Sequence, residues 1–156
     1  MSVTSVNDGV YATIVFMVIV VDTNIFVGAC MGAGSASKVI ASCLRKDHTP
    51  LMGAALFAEF NDVINREEIF KTCHLSKEER NELLDIFLAN CRWTDIYFGW
   101  RPNLKDEGDN HLIELAVAGH AQCIVSRNIK DLKSGELLFP DIVLMTPEEF
   151  LQGESL

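Results

Sequence analysis

Residues 14–21 of the chain read IVFMVIVV and run without a break into Asp22-Thr23-Asn24. The eight carry no polar side chain, and β-branched residues dominate them, which favours a strand over a helix. A strand without polar alternation is one buried on both faces, as in a parallel sheet covered by helices. A carboxylate at the carboxyl end of such a strand lies where open α/β sheets place their ligands. Asp22 therefore has two readings: a functional acid, or a turn residue whose oxygen accepts from a nearby backbone N–H.

Length and composition bound the rest. A chain of 156 residues, 49% of them apolar, is long enough for one well-buried domain and too short for two ordinary ones. Its five cysteines show no CxxC pair and read as small buried residues of a reducing compartment. The apolar stretch over 10–21 is shorter than the ~20 residues needed to span a bilayer, and it lacks the basic flank and small-residue cleavage site of a signal peptide. These features predict a cytoplasmic protein with no membrane segment. Residues 1–13 read as a poorly ordered N-terminal extension and 14–152 as a single domain.

The net charge of −9 excludes general electrostatic coating of a phosphate backbone. Contact with nucleic acid then requires a local site in which a divalent cation neutralises clustered acids. The plain alternative is that the acidity serves solubility.

Beyond Asp22, the Gly32-Ala33-Gly34-Ser35 loop lacks the Gly-Lys-Ser/Thr ending of a Walker loop and reads as a flexible helix start. A helix is predicted over 35–46, with Val39, Ile40, Cys43 and Leu44 at helical spacing. A short strand is predicted over 49–52. Leu56, Phe57, Phe60, Val63 and Ile64 form the stripe of a buried helix. Ser76-Lys77-Glu78-Glu79 is a capping-box signature opening a helix to about Asn90. Residues 91–98 (CRWTDIYF) alternate and read as a strand. Leu112, Leu115, Ala116 and Gly119 mark the next helix, and 121–126 and 142–145 read as strands. Thr146-Pro147-Glu148-Glu149 unites an N-cap, an N1 proline and an N3 glutamate at the start of a last helix. Strands and helices alternate throughout, which predicts a three-layer α/β/α sandwich with a mostly parallel central sheet.

Four acids fall where these elements let them converge. Asp22 ends the first strand, and Glu59 sits in a helix among Leu56, Phe57 and Phe60. A solvated edge with Asp62 and Arg66 is the other account of Glu59. Asp106 and Asp109 stand three apart at a helix start, where capping explains one of them better than both. Hard oxygen ligands without clustered His or Cys suit Mg²⁺ or Mn²⁺ and argue against Zn²⁺. The histidines His48, His74, His111 and His120 read as ordinary surface or helix-end residues, His111 standing out because it follows the acidic loop directly.

Together these segments resemble the PIN domain family. Asp22-Thr23-Asn24 resembles the family's opening and Glu59 its lone helical acid. Asp106-Glu107-Gly108-Asp109-Asn110-His111-Leu112 is similar to its third acidic motif. Val125-Ser126-Arg127-Asn128, with Asp131 just beyond, is similar to its fourth. The likeness spans about 14–151 and is nearest to VapC-like toxin components of toxin–antitoxin pairs. It implies a PIN-like fold and a metal-dependent ribonuclease in which Asp22, Glu59 and Asp109 are the principal acids. Asp22 and Asp109 would be direct ligands of Mg²⁺ or Mn²⁺, and Asp106 an auxiliary. Thr23, Asn24 and Ser126 would position ligands or phosphate. It also implies an RNA substrate and a small antitoxin partner, while self-association as a homodimer is expected from the chain's half-apolar composition and its aromatic stretch over 93–100.

One position departs from the pattern. Asn128 stands where many relatives carry Asp, and an amide brings no charge. Asp131 either substitutes for it or caps the next turn, so occupancy by a second metal hangs on this point. The competing reading is a PIN-like binding or regulatory module with weak or no nuclease activity. Trp93, Tyr97, Phe98 and Trp100 crowd one stretch, either as core or as an exposed surface for association.

Overall fold

In the computed structural model, which describes residues 2–7, 10–96, 110–136 and 139–153, the apolar run divides in two. Val10–Val15 (β2) pairs antiparallel with Ser2–Asn7 (β1), so strands occupy much of the stretch read as an N-terminal extension. Val18–Val21 (β3) belongs to a separate five-stranded sheet. The break falls at Phe16 and Met17. There the Met17 N–H donates to His48 Nδ1 at 3.1 Å and the Val18 N–H to Gln122 Oε1 at 2.6 Å. Side chains thus take over the donors at the point where the strand changes sheets. His48 is consequently buried, packed edge-on against Phe150, and not the surface residue expected.

The remaining strands are Thr49–Met52 (β4), Arg92–Trp93 (β5), Cys123–Val125 (β6) and Val143–Met145 (β7). Their order is β5-β4-β3-β6-β7, and every neighbouring pair is parallel. The chain works outward from β3 to β4 and β5, then returns to lay β6 and β7 on the other side of β3. This reversal makes the carboxyl ends of β3 and β6 the switch point where such sheets open a crevice. Among the described residues the helices are Thr23–Cys30 (α1), Gly34–Leu44 (α2), Ala54–Ile64 (α3), Lys77–Ala89 (α4), Asn110–Ala118 (α5), Ile129–Glu136 (α6) and Pro147–Gly153 (α7). They complete the three-layer α/β/α fold. Among the described residues no single helix is long and apolar enough to cross a membrane.

Burial explains why the sheet is parallel. Ile19, Val20 and Val21 of β3 and Cys123, Ile124 and Val125 of β6 are all buried, so neither face of either strand meets water. Beside the sheet, Phe26 of α1, Phe60 of α3 and Phe87 of α4 form a ring cluster with centroids 5.6–5.9 Å apart. Each such pair contributes about 0.5–1.5 kcal/mol beyond its buried area. The cluster fixes α1, which begins with Thr23, against α3, which carries Glu59.

Both capping signatures form as read. Ser76 Oγ accepts from the Glu79 N–H while Glu79 Oε1 accepts from the Ser76 N–H, and Thr146 and Glu149 repeat the exchange at α7. Two readings are corrected. The strand over 91–98 is limited to Arg92–Trp93, because β4 offers pairing partners only at Leu51 and Met52; Tyr97 and Phe98 lie outside the described residues. A helix, α1, fills the interval before Gly32 that the sequence reading left without one.

Candidate active site

Asp22 ends β3 and caps α1. Its backbone N–H donates to Val125 O of β6 at 3.0 Å, continuing the ladder. Its Oδ1 accepts from the Thr23 N–H at 2.7 Å, the N-cap bond that opens α1. The turn reading and the functional reading are therefore compatible, because the cap occupies one oxygen and leaves the other facing the switch point. That second oxygen, Oδ2, accepts from Ser126 Oγ at 2.7 Å and from Asn24 Nδ2 at 3.3 Å. Ser126 follows β6 directly, so the two strands at the reversal contribute one residue each to a single bond.

Glu59 reaches this group from α3. Thr23 Oγ1 donates to Glu59 Oε1 at 2.8 Å and lies 3.4 Å from Asp22 Oδ1, so one hydroxyl stands between the two acids. The other oxygen, Oε2, is 2.7 Å from His111 Nε2 on α5. Glu59 is thus bonded to Thr23 and His111, while Arg66 pairs with Asp62. His111 is the site residue that sequence reading ranked too low. Its only signal was position, directly after the acidic loop.

The segment after β6 continues the arrangement. Ser126 Oγ accepts from the Asn128 N–H at 2.9 Å, and Asn24 Oδ1 accepts from the Arg127 N–H at 3.2 Å. Asn24, Ser126 and Asn128 therefore belong to one network with Asp22. Asn128 immediately precedes α6, where asparagine is a favoured N-cap residue. Asp131 lies in the first turn of α6. Asp106 and Asp109 lie outside the described residues. Sequence reading also missed a rim group. Arg127 pairs with Glu148 of α7, with Nη2 to Oε2 at 2.7 Å, and Ser35 of α2 bonds to both. Arg127 and Ser35 hold the Glu148 carboxyl down at about 2.

The electrostatics separate the two acids. Burial pushes the Asp22 pKa above its ordinary value, the negative charge of Glu59 adds to the rise, and the Ser126 and Thr23 bonds oppose it. Glu59 is shifted downward, chiefly by the hydrogen bond to His111 and against a smaller cost of burial. A carboxylate only 5% exposed, destabilised by burial and by a second acid, is the setting in which a cation is favoured. The described donors fit a hard cation: two carboxylates with hydroxyl and amide oxygens around them. Among the described residues no group of three His, Cys, Asp or Glu side chains is close enough to hold a metal ion.

Comparison with known proteins gives a concordant picture. The PIN domain family matches residues 18–130 of the chain. None of the curated proteins matches it. Among solved structures, a chain from the VapBC2 complex of Rickettsia felis, bound to a DNA fragment from their promoter, superposes with a TM-score of 0.55 at 20% identity. The match covers 83% of this chain and 98% of that one.

Proposed function

Because the chain belongs to the PIN domain family, we propose that it is a divalent-metal-dependent endoribonuclease and the toxin of a type II toxin–antitoxin pair. The observation that carries this reading is the buried carboxylate of Asp22, joined through the Thr23 hydroxyl to Glu59 at the switch point of the sheet. The fold likeness to a chain of the Rickettsia felis complex supports the toxin assignment.

In this mechanism Asp22 and Asp109 would hold Mg²⁺ or Mn²⁺, with Asp106 and Asp131 as auxiliary acids. A bound cation supplies charge neutralisation at the scissile phosphodiester and a water of lowered pKa. Glu59 orients the attacking water and accepts its proton. Ser126 and Asn24 hold the Asp22 carboxyl in place by donating to Oδ2. Thr23 holds Glu59 beside it, and the Asn128 amide would contribute a bond to phosphate. The reaction runs in the cytoplasm on RNA, leaving a 5′-phosphate and a 3′-hydroxyl.

The test is cleavage of single-stranded RNA by the purified protein with Mg²⁺ or Mn²⁺ and with chelator. Expected are metal-dependent cleavage and its loss in Asp22→Asn. An inactive wild type under every divalent cation overturns the reading. The net charge of −9 and the neutral Asn128 favour a second reading, a PIN-like binding module with weak or no nuclease activity. A calorimetric Mn²⁺ titration without a specific site would support that module.

For partners, we propose a small antitoxin that inserts a basic or apolar segment near the acidic pocket, drawn by the net charge of −9. We also propose a homodimer that uses Trp93, which is 54% exposed and stacked edge-on against Phe57. A strict monomer by light scattering at high concentration would remove the dimer.

A further inference from the structure

Glu59 is held by two donors from two different helices. A glutamate on a helix surface ordinarily samples many rotamers, and Glu59 is 36% exposed. Here Thr23, the first residue of α1, takes Oε1 at 2.8 Å, and His111, the second residue of α5, takes Oε2 at 2.7 Å. Neither donor is itself loose. Thr23 is buried, and His111 lies on a helix whose Leu112, Ile113 and Leu115 are in the core.

Which nitrogen of His111 carries the proton follows from its surroundings. Nε2 faces a carboxylate, which accepts only. Nδ1 is buried without a hydrogen-bond partner among the described residues. With no partner for Nδ1 among the described residues, the bond to Glu59 selects Nε2–H. The imidazole therefore donates at Nε2 whether neutral or charged. A lysine or arginine there would also donate, but would set a permanent positive charge beside a site that needs to attract a cation.

We infer that His111 is a positioning residue that fixes the Glu59 carboxylate through an Nε2–H donor. The inference rests on the proposed nuclease reading for its effect on rate, and on geometry alone for the bond itself. Holding a proton-accepting carboxylate in place is worth a large factor in rate, since small misplacements are costly.

Two measurements test it. In RNA cleavage at saturating Mn²⁺, His111→Leu is expected to lower kcat roughly 10–100-fold with KM little changed, and His111→Gln, which retains a donor, to recover part of the loss. Thermal melts confirm that both variants are folded. An unchanged kcat in folded His111→Leu overturns the inference. The second measurement uses the metal-free protein with ¹⁵N-labelled imidazole. An Nε2–H signature that shifts in Glu59→Gln supports the clamp; a proton on Nδ1 alone, or a spectrum indifferent to Glu59→Gln, overturns it. Should wild type fail to cleave RNA, the nuclease reading falls while the imidazole spectrum still decides the bond.

Discussion

Ser126 Oγ donates to Asp22 Oδ2 at 2.7 Å across 104 positions of sequence. The bond is short in space because β3 and β6 are neighbours in register, with Val21 opposite Val125, so the residues that follow them emerge side by side. The same hydroxyl accepts the Asn128 N–H and so orders the segment leading into α6. One serine therefore connects the acid to the sheet reversal and to the next helix.

Asp22→Asn should separate stability from activity. Burial raises the folded pKa of Asp22, so its charged form is costly in the metal-free protein at neutral pH. Removing that charge is expected to stabilise the metal-free chain by about 1 kcal/mol, a rise in Tm of roughly 3 °C at this size. Cleavage should fall at least ~100-fold, as expected on losing a charge-stabilising group. A Tm equal to or below wild type in chelator would mean that the hydrogen bonds outweigh the burial.

Ser126→Ala removes a donor to a buried carboxylate and an acceptor for a backbone N–H. Leaving such groups unsatisfied costs about 1–3 kcal/mol. The Asp22 pKa should rise further, because the bond that opposes burial is gone. The check is chemical denaturation alongside a carboxylate titration by NMR in the metal-free protein.

Acid stability should show the two carboxylates acting in opposite directions. The folded pKa of Glu59 lies below its ordinary 4.5, so its stabilisation is present above that value and is lost as pH falls through the folded pKa. The folded pKa of Asp22 lies above 3.8, so its cost appears as pH rises from 3.8 through the folded value. Melts between pH 3 and 7 should therefore show a shallower acid loss in Glu59→Gln than in wild type. Identical profiles would place Glu59 outside the bonds to His111 and Thr23.

How much of this was legible in the chain varied with the range of the forces involved. Local signals were read correctly: the strand Thr49–Met52, the capping residues Ser76 and Thr146, and the buried stripe of α3. Signals that depend on distant partners were not. The helix α1 (TNIFVGAC) is rich in β-branched residues and contains a glycine, so propensity argues against it. It forms because Asp22 caps it and because Ile25 and Phe26 are buried. The break at Met17 depends on His48, and the end of β5 depends on how far β4 extends. Asp22 and Glu59 stood out as candidates by type and place, and Thr23, Asn24 and Ser126 through the resemblance to the family. His111 was legible only by position, since its pairing with Glu59 exists through the packing of α3 against α5.

Asn128→Asp tests whether the missing acid limits the site. The residue precedes α6 and its N–H is already held by Ser126, so the substituted carboxylate enters an ordered position. Aspartate caps a helix as well as asparagine does, and its charge is favoured at a helix N-terminus, so the fold should tolerate the change. The new charge adds to that of Asp22 and Glu59 and deepens the negative potential near the switch point. Calorimetry is expected to show Mn²⁺ binding tightened about tenfold, equal to ~1.4 kcal/mol, or a second equivalent bound. RNA cleavage should rise with it. A titration identical to wild type would mean that Asp131 or water already completes the site, or that one ion suffices.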